Sequence, residues 1–465
     1  MTAFLYFVAL FGSRLASLAS LLVLARLLDP SSFSIYTVCI TNALLAATIG
    51  GAWMTSGVTR LFPVRSATEQ AADISTFAVL ILIAGIIVLT VSGAVASFTR
   101  NNVLLSMLSA GLALSLLVSD LGLSASNAVR AHTTYAAASL VRGVGVAILP
   151  AAFFLLGRTI EWAIAGQIMG FLASIVLTTG ARRLWTTALP WKLSLGRVQP
   201  YLSFGVAGTL LLSIYILINA GMRNVLAQWG DPEIAGQWAM LSDLFWGPLA
   251  LGTTTLTLIW LPVLYSLREQ EEERRVASGR YFAAISAVVA PFIIAGCLFA
   301  PVAVDLALPG PKSTQLGIMG QLACIQAGLL AVVYTLASIL MTDGRKRDVV
   351  VLVAGTSAVV VGSLTCVVRL VPPEQALGLA VFVEALCLTA AAAWVLSRRL
   401  FRVNFKRASV AAVCVALSLT AGFAAWVFAR SEIFAALAAG LVYLATAYPT
   451  GSLQPLVSSL SNRGN

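Results

Sequence analysis

The chain is poor in charge. Asp, Glu, Lys and Arg make up 10% of its 465 residues, where soluble domains carry about 25%. There is one histidine, His132, in a short connection beside Arg130, where a solvated loop residue is expected. The sequence has no Gly-x-x-x-x-Gly-Lys-Ser/Thr phosphate loop, no His-Glu-x-x-His pair and no Cys-x-x-Cys pair. These absences remove the signals of ATP hydrolysis, zinc hydrolysis and thiol redox chemistry. No metal site and no cofactor are expected, and any transport would be driven by a gradient or by the substrate itself. The six cysteines (Cys39, Cys297, Cys324, Cys366, Cys387 and Cys414) all fall inside apolar runs and read as small buried hydrophobes. Long polar stretches are missing as well. The longest connections, 58–75, 181–199 and 265–280, are too short to fold as separate domains. With no catalytic or nucleotide-binding domain attached, the chain is not expected to be an enzyme.

What is present is apolar. Hydrophobic residues make up 59% of the chain and the mean hydropathy is +0.94, which leaves no water-exposed globular surface. A bilayer-spanning helix needs about 20 mostly apolar residues. Fourteen segments qualify: 4–27, 33–57, 76–99, 103–127, 133–157, 159–180, 200–225, 233–264, 281–307, 314–341, 347–370, 374–397, 408–429 and 432–449. The first has no basic leading region and is interrupted by Arg14, so it reads as a retained membrane helix rather than a signal peptide. With both termini placed in the cytoplasm, twenty of the 29 Lys and Arg residues fall on the cytoplasmic side and seven on the other, leaving Arg14 and Arg142 at membrane depth. This asymmetry supports the even count and the orientation. The net charge of +11 then anchors the chain against anionic inner-leaflet lipids, and no nucleic-acid partner is needed. The stretch from Arg268 to Arg275, with Glu269 and Glu271–Glu273 between, reads as a solvated charge run.

Two stretches look like copies. Val23–Val38 lies over Val225–Met240 without a gap at a constant offset of 202, matching Val, Leu, Ala, Asp and Pro and aligning Tyr36 with Trp238. In each copy one apolar segment ends at Asp-Pro and another begins, the proline stopping the helix before it. The two turns lie on the same side, six helices apart, so the halves are expected to be parallel repeats about an axis along the membrane normal. The expected fold is an all-α integral membrane protein: an N-lobe over 1–183, a cytoplasmic linker over 184–199, a C-lobe over 200–399, and two further helices with a short tail over 400–465.

A charge at membrane depth costs about 2.5–3.5 kcal/mol even on lenient insertion scales. Asp120 and Arg142 lie at similar distances from the turn near Arg130, which suggests an ion pair. Arg14 has no partner of similar depth in its own hairpin. A permanently charged guanidinium with five donors suits a phosphate or diphosphate. In the second half the deep charges are acidic, Asp243 and Glu384; they could couple to a cation or proton, gate, or balance arginines. Gln167, Asn219, Gln237, Gln321 and Gln326 are hydrogen-bonding groups expected at depth that could meet sugar hydroxyls or bridge helices, while Asp305 and Arg223 are expected near the outer surface.

At Leu24-Ala-Arg-Leu-Leu-Asp-Pro-Ser-Ser-Phe-Ser-Ile-Tyr36 the chain resembles the opening of bacterial polysaccharide flippases, the O-antigen and exopolysaccharide exporters of the multidrug/oligosaccharidyl-lipid/polysaccharide superfamily. Asp29 stands where those proteins usually have glycine, as does Ser34, and both departures touch the turn rather than the cavity. Tyr201-Leu-Ser-Phe-Gly-Val-Ala207, with Arg223, Asp231-Pro232 and Gly236-Gln-Trp238, is similar to the start of their second lobe, although Met222 replaces the common aspartate. The resemblance implies a flippase for a polyprenyl-diphosphate-linked oligosaccharide in the bacterial inner membrane, working by alternating access. Arg14 and Arg142 would hold the diphosphate, with Asp120, Asp243 and Glu384 in coupling, gating or charge pairing. Membrane lipids, polysaccharide polymerase or export machinery, and H+ or Na+ would be its partners. A cation-coupled multidrug exporter of the same superfamily is the nearest alternative. A major-facilitator transporter, hinted at by Asp343-Gly-Arg-Lys-Arg347, and a membrane-embedded polysaccharide polymerase are further ones.

Overall fold

The computed structural model describes residues 19–62, 65–98, 102–129, 131–180, 194–267, 270–307 and 314–397, together with Gly12, Ala16 and Ser17. After a helical segment over 19–27 come α1 (Pro30–Leu61), α2 (Ala67–Phe98), α3 (Val103–Ala128), α4 (His132–Gly157), α5 (Ile160–Gly180), α6 (Leu195–Trp229), α7 (Pro232–Ser266), α8 (Glu271–Ala307), α9 (Thr314–Thr342), α10 (Lys346–Val367) and α11 (Pro373–Ser397). No strand occurs among the described residues. Nine of these helices contain stretches long and apolar enough to cross a membrane. Arg14 and the spans expected at 408–429 and 432–449 lie outside the described residues.

Both Asp-Pro copies are helix starts. Asp29 caps α1, its carboxylate accepting the Ser32 amide at 3.0 Å and the Ser31 hydroxyl at 2.5 Å. Asp231 caps α7 by accepting the Glu233 amide at 2.8 Å. In each copy the proline occupies the first helical turn, where its missing N–H leaves no bond unmade. The prolines therefore open the second helix of each copy as well as ending the first. The aligned aromatics Tyr36 and Trp238 are both buried.

Three helices outrun their apolar segments on the side rich in Lys and Arg. α2 begins at Ala67 rather than near 76 because Ser66 and Glu69 form a capping box: the Ser66 amide reaches Glu69 Oε2 at 2.9 Å and the Glu69 amide reaches Ser66 Oγ at 3.4 Å. α8 begins at Glu271 rather than near 281, with three glutamates in its first turn favoured by the helix dipole. α6 begins at Leu195 rather than near 200. The charge run before α8 is thus partly structural. Arg274 pairs with Asp343, leaving 12% and 17% of the two side chains exposed, and Asp343 also accepts the Arg345 Nε at 2.8 Å. His132 is the first residue of α4 and half-buried, not a loop residue.

The chain divides into two compact units, Met1–Ala227 and Gln228–Asn465. In the first, α3 packs against α1, α2, α4 and α5, and α4 packs against α5. In the second, α9 packs against α7, α8, α10 and α11, and α10 packs against α11. Adding six to every label of the first set gives the second, so the two units repeat one packing plan as well as one sequence motif. α6, the first helix of the second repeat by sequence, belongs up to Ala227 to the first unit. The α4–α5 seam is built on glycines: a Cβ on Gly166 would stand 2.4 Å from the Leu149 carbonyl oxygen, and one on Gly170 would stand 2.8 Å from the Val146 nitrogen. Gly166 and Gly170 are four apart on one helix face, the spacing that lets membrane helices approach closely.

The caps give a first prediction. Asp29→Ala and Asp231→Ala should each lower stability by about 1 kcal/mol, read as a fall in melting temperature in detergent. The Ser31 and then the Ser32 hydroxyls hold the Asp29 carboxyl down at about 2, from an ordinary 3.8. A carboxyl lowered on folding stabilises the fold fully above its unfolded value and loses that contribution as pH falls through the folded one. The Asp29→Ala deficit should therefore be constant above pH 4 and shrink between pH 4 and pH 2.

Candidate functional site: charged and polar groups at membrane depth

Asp120 on α3 and Arg142 on α4 meet in an ion pair. The Arg142 guanidinium also sits 4.9 Å from the centre of the Phe171 ring on α5, a contact that the close glycine seam between α4 and α5 makes reachable. Neither side chain is sealed in, with 25% of Arg142 and 42% of Asp120 exposed. The guanidinium is held from one side by a carboxylate and from another by an aromatic face, and a quarter of the side chain stays exposed. Gly12, two residues before Arg14, lies against Leu140, two residues before Arg142; a Cβ on Gly12 would be 3.3 Å from Leu140 Cδ2.

In the second unit Glu384 on α11 is fully buried. Its Oε2 accepts the Gln326 amide of α9 at 3.3 Å, and its Oε1 has no hydrogen-bond partner among the described residues. A bare carboxylate in such surroundings carries a desolvation cost of several kcal/mol, which a proton or a cation would remove. Asp243 on α7 is half-buried. Asp243, Gln326 and Glu384 each lie eleven or twelve residues into their helices, all entered from the same side, and α9 packs against both α7 and α11. Gln326 and Glu384 are joined by their bond, and Asp243 holds a corresponding position along α7. Among the described residues no group of three or more His, Cys, Asp or Glu could hold a metal ion.

The polar residues divide by role. Gln167 is buried and accepts the Tyr36 hydroxyl at 3.3 Å, tying α5 to α1. Gln321 donates to the Cys297 carbonyl at 3.2 Å, tying α9 to α8. Asn219 is buried. Gln237 does not reach depth: it bonds Glu233 at 3.2 Å within the first turns of α7, because that helix starts at Pro232. Arg223, expected near the outer surface, is buried within the first unit. It is 4% exposed and donates to the Thr41 hydroxyl at 2.6 Å, since α6 continues past it to Trp229. Asp305 is exposed near the end of α8.

Sequence reasoning missed Asp73 altogether. Its buried carboxylate on α2 accepts two bonds from Arg65, at 2.9 and 2.7 Å, one from Arg197 at 3.2 Å and one from the Tyr201 hydroxyl at 2.6 Å. The available signal was an acid six residues into α2, at the edge of its apolar run and eight residues after an arginine.

If Asp120 and Arg142 compensate each other, Asp120→Asn and Arg142→Gln should each destabilise the protein more than the double substitution does. The coupling in a melting-temperature cycle should be about 0.5–3 kcal/mol. Additive losses would show that the pair contributes nothing as a pair.

Comparison with known proteins places this geometry. The fold is similar to the lipid II flippase MurJ in its inward-closed conformation, with a TM-score of 0.69, 12% identity, and coverage of 97% of this chain and 99% of that one. It is also similar to an inward-facing multidrug resistance MATE transporter of the MOP superfamily, with a TM-score of 0.59, 13% identity and coverage of 86% and 94%. A third similar structure is a MOP superfamily transporter from Pyrococcus furiosus whose binding pocket is described as reversed in polarity, with a TM-score of 0.55, 15% identity and coverage of 85% and 94%. No protein of curated function matches the chain. At these identities the structures show the fold: an all-α, multi-pass membrane transporter fold. Residues 23–310, more than half of the chain, match the family model described as polysaccharide biosynthesis protein, and the chain belongs to that family.

Proposed function

We propose that the protein flips a polyprenyl-diphosphate-linked oligosaccharide from the cytoplasmic to the outer leaflet of a bacterial inner membrane by alternating access. Both termini face the cytoplasm. The observation that carries this reading is Arg142, a guanidinium at membrane depth that is neutralised on one side and accessible on the other. Gly12, two positions before Arg14 in the sequence, lies against Leu140 of α4. The Arg142 guanidinium, with Arg14 as the second cation expected at membrane depth from the sequence, offers the planar, paired donors that a diphosphate takes up. Passing a dianionic diphosphate through bare hydrocarbon costs of order tens of kcal/mol in the Born limit. A cationic site within the protein avoids that cost while the polyprenyl chain stays in lipid. The family supports a glycan substrate, and the flippase fold supports a lipid-linked one. Delivery from cytoplasmic synthesis and hand-over to a polymerase or export machinery follow from that substrate.

Glu384, with Gln326 on one oxygen, is the coupling residue in this reading, and Asp243 gates or balances charge from α7. A proton taken up by Glu384 on one side of the membrane and released on the other would tie flipping to the proton gradient. The same buried acid favours the second reading, a cation-coupled multidrug exporter, which the similar MATE fold accommodates.

The test is flipping in proteoliposomes. A labelled polyprenyl-diphosphate oligosaccharide is placed in both leaflets, and its exposure to a membrane-impermeant glycosidase is followed with time. Conversion should pass beyond the outer half only with protein. A lost charge-assisted bond is worth about 1.5–3 kcal/mol, so Arg14→Ala and Arg142→Ala should each slow conversion by about tenfold or more. Glu384→Gln should leave a rate that no longer responds to a pH gradient. Protein-independent conversion with several glycans, together with proton-driven uptake of an organic cation, would establish the exporter instead.

A further inference from the structure

The Asp73 cluster joins two stretches that are far apart in sequence. Arg65 lies in the turn between α1 and α2, whereas Arg197 and Tyr201 lie at the first turns of α6. Around the carboxylate, the Arg65 guanidinium sits 5.3 Å from the centre of the Tyr201 ring. Phe77 meets that ring edge-on at 4.8 Å, and Trp53 meets Phe77 edge-on at 6.1 Å. The helices beside the cluster touch through glycine: a Cβ on Gly57 would stand 2.5 Å from the Tyr201 ring, and one on Gly205 would stand 2.2 Å from the Trp53 carbonyl oxygen. Toward the other end of the same helix pair, Asn42 and Asn224 exchange amide bonds at 3.2 and 2.7 Å, next to the bond from Arg223 to Thr41. α6 is thus fastened at two levels, to α1 by the amide pair and the Arg223–Thr41 bond toward one end, and to α2 and the α1–α2 turn by a charged hub at the other.

The fastening conflicts with the repeat. By sequence, α6 opens the second repeat, the counterpart of the segment that ends at Leu28. By contact it belongs to the first unit, and the Asp73 hub is a charged link that holds it there. If the repeats are the moving bodies of a transporter, α6 must be able to leave α1 and α2 at the cytoplasmic end. The bonds suit that role. Each is a side-chain contact that can be exchanged for water once the helices part, and Gly57 and Gly205 present no side chain of their own to hold the Tyr201 ring or the Trp53 backbone in place.

We infer that Asp73, with Arg65, Arg197 and Tyr201, is a cytoplasmic latch, closed in this structure and released when the protein opens to the cytoplasm. The inference rests on the alternating-access reading above, but it concerns a motion that can be measured without substrate. The full chain, with its six native cysteines replaced by alanine and spin labels on Thr68→Cys and Gly196→Cys, is placed in lipid nanodiscs for electron–electron distance measurement. The parent protein should show a major short distance and a minor long one. Asp73→Asn should move most molecules to the long distance, and Asp73→Glu should retain the short one. Tyr201→Phe, which removes one bond and keeps the ring packing, should give an intermediate shift and decides the matter if Asp73→Asn does not fold. A single short distance in the parent, unchanged by Asp73→Asn or by Tyr201→Phe, would overturn the latch. That result would leave the flippase reading to stand or fall on the proteoliposome assay.

Discussion

The cost of placing a charge where no water can reach it organises this molecule. The chain has few charged residues, and those that enter the helix bundles are handled in distinct ways. Asp120 and Arg142 cancel one another across a helix hairpin while staying accessible. Asp73 is sealed but surrounded by donors. Arg223 is buried against a threonine hydroxyl beside an amide pair. Glu384 is sealed with a single amide donor among the described residues. The last arrangement costs most as a carboxylate and least as a carboxylic acid, which is why it suits a group that must change protonation state. The first keeps a cation available to an anionic guest. Location and function are thus tied to one physical term.

Duplication supplies the frame on which those charges are hung. The same Asp-Pro cap opens α1 and α7, and the same five helix pairings recur in each unit. The two units then diverge in charge, with an accessible arginine at depth in one and a sealed glutamate in the other. A repeated scaffold thus carries two unlike interiors. α6 stands between these two assignments, second by sequence and first by contact, and the groups that hold it in place are the ones a conformational cycle would have to break.

Much of this was legible in the sequence because it depends on local spacing. The span positions follow from runs of apolar residues. The meeting of Asp120 with Arg142 follows from their equal distance from one turn. The shared geometry of the Asp29 and Asp231 caps follows from the repeat. Helix starts were less legible, since Ser66 with Glu69 and the three glutamates at Glu271–Glu273 carry α2 and α8 beyond the apolar runs. The Asp73 hub was not legible, because two of its partners, Arg197 and Tyr201, lie on α6, more than a hundred positions away, and only packing brings them together. The burial of Arg223 was not legible for a related reason: it depends on α6 packing against Thr41 of α1. Hydropathy reports where a helix crosses the membrane, but the polar groups at its ends decide how far it extends and what it holds.

The central claim, that membrane-depth arginines select a diphosphate-linked glycan lipid, is tested most directly by identifying the lipids that stay with the protein when it is extracted in native membrane discs. The account predicts that mass spectrometry will find polyprenyl-diphosphate glycans enriched over bulk phospholipid, with the enrichment lost when Arg14 and Arg142 are both replaced by alanine. Bulk phospholipid alone, unchanged by those substitutions, would contradict it.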